Sequence, residues 1–252
     1  MRLPRRLRHD EGAELVQHLD ELRTRLIVAL AAIAVGFAVA YVFHGRLLDW
    51  LNESLPAGRR HPVTLGVAEP FTTSLKISLV AGIALALPVV LWQTWAYLAP
   101  AFDDRAQRAV AGFTVFATGL FVAGVAFAKA VALPAALAFL TNYDAQHFDI
   151  LIRAQDYYSF AILVLVAVGI VFELPVFILA LVRLRVVSAA KLRRNRRIGI
   201  VAMAALAVAL PGVDPVTTLF EMAPLILLYE GSIWLAVVFE RRWRALSDPL
   251  PT

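Results

Sequence analysis

Six stretches of the chain are almost purely apolar and stand apart from the polar segments between them. They run over about Leu26–Phe43, Thr73–Leu98, Ala109–Phe127, Tyr157–Val182, Ile198–Leu210 and Val216–Phe239. A bilayer core about 30 Å thick takes roughly 20 apolar helical residues to cross, and most of the six meet that length. Lipid offers no partner to an open backbone N–H or C=O, so each stretch is expected to be an α-helix. The alternating pattern of a membrane barrel is absent. The pattern therefore predicts an all-α integral membrane protein with six transmembrane helices in residues 26–239. A cytoplasmic amphipathic segment, 1–25, and a cytoplasmic tail, 240–252, flank them.

Within this pattern the fifth and sixth helices are read as short. The fifth has about 13 apolar residues before Pro211, or about 20 Å of helix, and only "PGVDP" joins it to the sixth. Pro88, Pro175 and Pro224 fall inside spans two, four and six. Each frees a backbone carbonyl and bends its helix, which favours a concave bundle over a straight cylinder.

Charge fixes the expected orientation. Eighteen of the Lys and Arg residues lie in alternate segments on one side and five on the other, with Lys76 inside span two. Cytoplasmic loops carry the excess of Lys and Arg, so both termini are expected inside. The formal charge of +5 is thereby accounted for without nucleic acid. Composition agrees: 60% of the 252 residues are hydrophobic, above the roughly 45–50% of soluble chains. Trp92, Trp95, Tyr97, Tyr157 and Tyr158 stand at span ends as interface anchors. Span one starts late and has no small-x-small site, unlike a cleavable signal peptide.

Cysteine is absent, which excludes disulfides and thiolate metal sites. His9, His18, His44, His61 and His147 show no metal spacing. No phosphate loop or nucleophile triad is present, so neither an enzyme nor a cofactor is expected.

The chemistry that remains is carboxylate chemistry. Glu173 interrupts "AILVLVAVGIVFELPVFILALV", with Gly169 and Phe177 on its helical face. An intramembrane acid costs about 2.5–3.5 kcal/mol on insertion scales. It either sits neutral and bonded to another helix or lines a polar groove where a partner docks. Glu230, near the middle of span six, follows the same logic, and a proton- or ion-coupled secondary transporter is the alternative reading of the pair. Glu221 and Asp214 are expected near the outer surface, and Lys76 is expected to extend outward. In "ELVQHLDELRTRLI" the leucines 15, 19, 22 and 26 form one stripe. Glu21 and Arg25 are placed to pair one turn apart. Arg5 and Arg6 read as topology-setting charge, being 19 residues from the first span.

The ordered motifs "HLDELRTRL", "EPFTTSLKISL", "LPVVLWQTWAYLAPAF", "FELPV" and "PGVDPVTTLFEMAPLILLYE" resemble the TatC family, the polytopic core subunit of the twin-arginine protein translocase. The resemblance runs from about residue 15 to 240. It implies a signal-peptide receptor and assembly scaffold that exports folded proteins with the proton-motive force. It implies TatA-like and TatB-like single-span partners, twin-arginine signal peptides of folded cargo, self-association in a larger complex, and a multi-pass place in the cytoplasmic membrane. Glu21 and Arg23 are implied in signal recognition, Glu173 in the concave face, and Asp214 in an acidic outer loop. The family's second loop glutamate falls on Ala106 here. Asp103 and Asp104, two and three residues earlier, are the candidates to replace it, since two carboxylates can hold an arginine pair bidentately.

Overall fold

The computed structural model describes residues 9–56, 58–98, 110–148, 150–183, 186–211 and 215–247. Its helices in chain order are α1 (His9–Val42), α2 (His44–Asn52), α3 (Glu69–Leu98), α4 (Val110–Phe127), α5 (Leu133–Asn142), α6 (Ala154–Val171), α7 (Leu174–Arg183), α8 (Ala189–Arg194), α9 (Arg196–Ala209) and α10 (Pro215–Ser247). Five stretches among the described residues are long and apolar enough to cross a membrane: His18–Val42, Glu69–Tyr97, Ala111–Asn142, Ala154–Arg183 and Pro215–Glu240.

The fifth expected span, α9, has 14 residues and reaches about 21 Å. The sixth departs from expectation. It is not short, because α10 continues through the charged tail for 33 residues. Nothing in "FERRWRALS" breaks a helix.

The third span also differs. Its apolar run was expected to end at Phe127, yet helical structure continues to Asn142 through a π-helical turn at Ala128–Ala132. Pro134, in the first turn of α5, has no N–H to give to a carbonyl one turn back, and the chain widens just before it. Outside the spans, segment 44–72 contributes the amphipathic helix α2 rather than loop alone.

The fourth span is two helices. α6 stops at Val171, and Phe172 and Glu173 form a turn before α7. Val176 and Phe177 donate their backbone N–H groups to the Glu173 carbonyl at 3.0 and 3.1 Å, which restarts the helix past Pro175. This pair sits at the centre of the molecule: 56% of its most apolar window is buried, against 11% for α1. Ala161, Val164, Leu165 and Val168 of α6 form the core with Leu133, Leu225 and Ile233.

Glycines set the helix crossings. A Cβ at Gly82 would collide with the backbone of Phe37, and one at Gly36 with the Gly82 carbonyl. α1 and α3 therefore touch backbone to backbone, the close approach that small residues allow between membrane helices. Similarly, a Cβ at Gly169 would lie 2.7 Å from the Phe121 ring, and one at Gly124 2.8 Å from Phe172. Gly169, on the helical face of Glu173, is thus a packing position.

Outside the core, the loop before α3 is tied to the start of α6. Val63 donates to the Ile152 carbonyl at 2.9 Å and accepts from Ala154 at 2.8 Å. Beside this contact the Glu69 carboxylate, almost fully buried, accepts from the backbone N–H groups of Leu65, Gly66 and Gln155 and from the Arg153 guanidinium.

Candidate functional site

The N-terminal part of α1 and the C-terminal part of α3 meet in a polar cluster. The i,i+4 spacing brings Arg25 onto Glu21, with Nε donating to Oε1 at 2.9 Å and Nη2 donating to the same oxygen at 2.5 Å. Arg25 also donates from Nη1 to Gln93 Oε1 at 3.3 Å, which links the two helices. The His18 ring stacks on Tyr97 with centroids 4.4 Å apart. Both Arg25 bonds fall on one Glu21 oxygen. The other, Oε2, faces the His18 ring nitrogen at 3.8 Å and accepts no hydrogen bond among the described residues. Glu21 is 35% exposed and lines an open groove with Asp20, Thr24, Arg25, Val28 and Gln93. The groove thus presents carboxylate oxygen to a cation arriving from solvent, and charge-assisted bonds of this kind are about twice as strong as neutral ones.

Arg23 is exposed, two residues from Glu21, and has no bonded partner among the described residues. Asp103 and Asp104 lie outside the described residues, as does Asp214.

Within the spans the expected polar residues divide. Glu173 is partly buried, and its Oε1 atom is enclosed without a hydrogen-bond partner among the described residues. Glu230 takes a different position from Glu173, because Arg196 at the start of α9 donates to its Oε2. Lys76 is exposed and donates to the Ser159 hydroxyl of α6 at 3.0 Å. Glu221, expected near the surface, is 1% exposed, because α10 turns that face into the bundle.

The family model described as "Sec-independent protein translocase protein (TatC)" matches residues 17–224. The chain belongs to the TatC family. A TatC from Carboxydothermus hydrogenoformans is 35% identical over 228 residues, covering 90% of this chain and 94% of the relative. The TatCd protein of Bacillus subtilis is 29% identical over 231 residues, covering 91% and 94%. A crystal structure titled as the twin arginine translocase receptor TatC in DDM superposes with a TM-score of 0.75 at 32% identity, covering 87% of this chain and 99% of that one. TatC is a translocase component and not an enzyme, as expected from the lack of any catalytic constellation.

Sequence reasoning missed several residues of this TatC-family chain. Gln93 lines the Glu21 groove from α3 and Tyr97 stacks on His18, contacts that only tertiary packing could reveal. Glu69 had a local signal: an acid followed by Pro70 at a helix start is an N-terminal signature. Lys129, counted as a loop charge, lies in the π turn with 13% of its side chain exposed and donates to Ser54 Oγ at 2.7 Å.

Proposed function

We propose that this chain is the receptor and assembly scaffold of a twin-arginine translocase, embedded in the cytoplasmic membrane with both termini inside. The uncommitted Glu21 oxygen in the α1–α3 groove carries this reading. A guanidinium of a signal peptide's arginine pair would take that oxygen, with Arg25 and Gln93 fixing the carboxylate's orientation. Arg23, Asp103 and Asp104 would complete the cytoplasmic surface, with the two aspartates supplying the second carboxylate where Ala106 has none. Glu173 would meet a polar group of an inserted signal peptide or partner helix, and Asp214 would act at the outer end. TatA-like and TatB-like single-span proteins would complete the machine, with export of folded cargo driven by the proton-motive force. The likeness to solved structures titled as the twin arginine translocase receptor supports this reading.

The secondary-transporter reading is not favoured. A relay needs both intramembrane acids available, and Glu230 is engaged by Arg196.

The test is capture of a fluorescent twin-arginine peptide by the chain in nanodiscs. Losing a charge-assisted bond costs about 1.5–3 kcal/mol, so E21Q is expected to weaken binding about tenfold or more. Replacing both peptide arginines by lysine should act similarly, since lysine cannot form the bidentate fork. Binding indifferent to both changes would overturn the assignment.

A further inference from the structure

α1, α3, α4 and α6 enclose a half-open cavity of about 490 Å³, and Leu47, Trp50 and Leu51 of α2 close one end. Within the spans its wall is hydrocarbon, from residues such as Ile77, Val80 and Leu165, with Thr118 the polar exception. At the α2 end the chemistry changes. Phe43 and Trp50 both line the cavity, and each carries a cation. The Arg46 guanidinium carbon is 5.3 Å from the Phe43 ring centroid, and the Lys129 ammonium is 5.1 Å from that of Trp50.

Both cations thus lie on rings that line the same cavity. Arg46 and Trp50 are four residues apart on α2 and share a face. Lys129 follows the cavity-lining Val125 and Ala126 by one turn. Neither cation is well neutralised. Arg46 has no carboxylate partner among the described residues. Lys129 donates to a neutral hydroxyl, and the carboxylate paired with it, Glu53, is 67% exposed and stands 3.8 Å away.

A half-open apolar cleft with two cations on aromatic rings of its lining has the polarity profile of a phospholipid. A transmembrane partner helix fits less well, because an apolar helix brings no anion to the two cations. We propose that the cavity holds an acyl chain of a phospholipid with an anionic head group, its phosphate between Arg46 and Lys129.

The experiment uses the full chain in nanodiscs of phosphatidylcholine doped with phosphatidylglycerol, released into detergent and weighed by native mass spectrometry. Phosphatidylglycerol should be retained in preference to phosphatidylcholine. Ala84 lines the cavity, and A84W, which fills it while leaving both cations, should reduce retention at least tenfold. If A84W unfolds in a thermal scan, L85W serves the same purpose. R46Q and K129Q should each lower the preference for the anionic lipid about fivefold while an acyl chain still binds. Equal retention of the two lipids by the unaltered chain, or undiminished retention by a folded cavity-filled variant, would sink the proposal. So would photocrosslinking from position 84 that captures a single-span protein instead of lipid.

Discussion

At the scale of single residues, side chains in hydrocarbon are defined by what they lack. Glu69 is a buried acid whose oxygens are met by three backbone N–H groups and a guanidinium, and it holds the fold. Glu173 is the contrast, with an enclosed oxygen that nothing described satisfies. An acid that holds the fold and one kept for function, the role proposed for Glu173, respond oppositely to an apolar substitution. Replacing an unsatisfied polar group by a hydrocarbon removes a desolvation penalty of about 1–3 kcal/mol. E173L should therefore raise the midpoint of thermal unfolding in detergent while abolishing export in a translocation assay. A lowered midpoint would mean that Glu173 is a packing residue. E69L should lower the midpoint in the same assay. The sequence made Glu173 conspicuous because its neighbours are apolar. For Glu69 it carried a helix-start signal but hid the partners Arg153 and Gln155, which are 84 and 86 residues away.

Among the elements, apolar length and proline position were readable, because lipid leaves the backbone few choices. The helices continued past the apolar runs wherever the residues beyond were good helix formers, as in the α10 tail. Pro134 and Lys129 made the end of span three look like a loop, whereas the chain absorbed the missing N–H in a π turn. Glycine spacing in the sequence did not say which helices touch. The structure pairs Gly36 with Gly82 and Gly124 with Gly169, and this yields a graded prediction. G82A forces α1 away from α3 and should cost at least the 1–3 kcal/mol of an overpacked core. G119A meets nothing within 4 Å and should be neutral or mildly stabilising, since alanine is the better helix former. Denaturant titration of the two variants side by side distinguishes them. Equal effects would argue against the close crossing.

For the whole molecule, the sidedness of charge predicts a topology that labelling can test. The chain has no cysteine, so a single introduced thiol reports its own side of the membrane. S247C should react with an impermeant maleimide only after cells are opened, and H61C should react in intact cells whose outer layer has been made permeable. The reverse pattern would invert the orientation and place the Glu21 groove out of reach of any cytoplasmic ligand. That groove spans α1 and α3, and the same two helices meet further along at Gly36 and Gly82. A contact between two bare backbones has no side chain left to trim, so natural variation at either position can only push the pair apart. The angle at which the two rods splay, and with it the width of the mouth formed by Glu21 and Gln93, is consequently fixed by main-chain geometry and cannot be retuned by small steps at the crossing. Altered ligand preference in such a protein must arise at the rim.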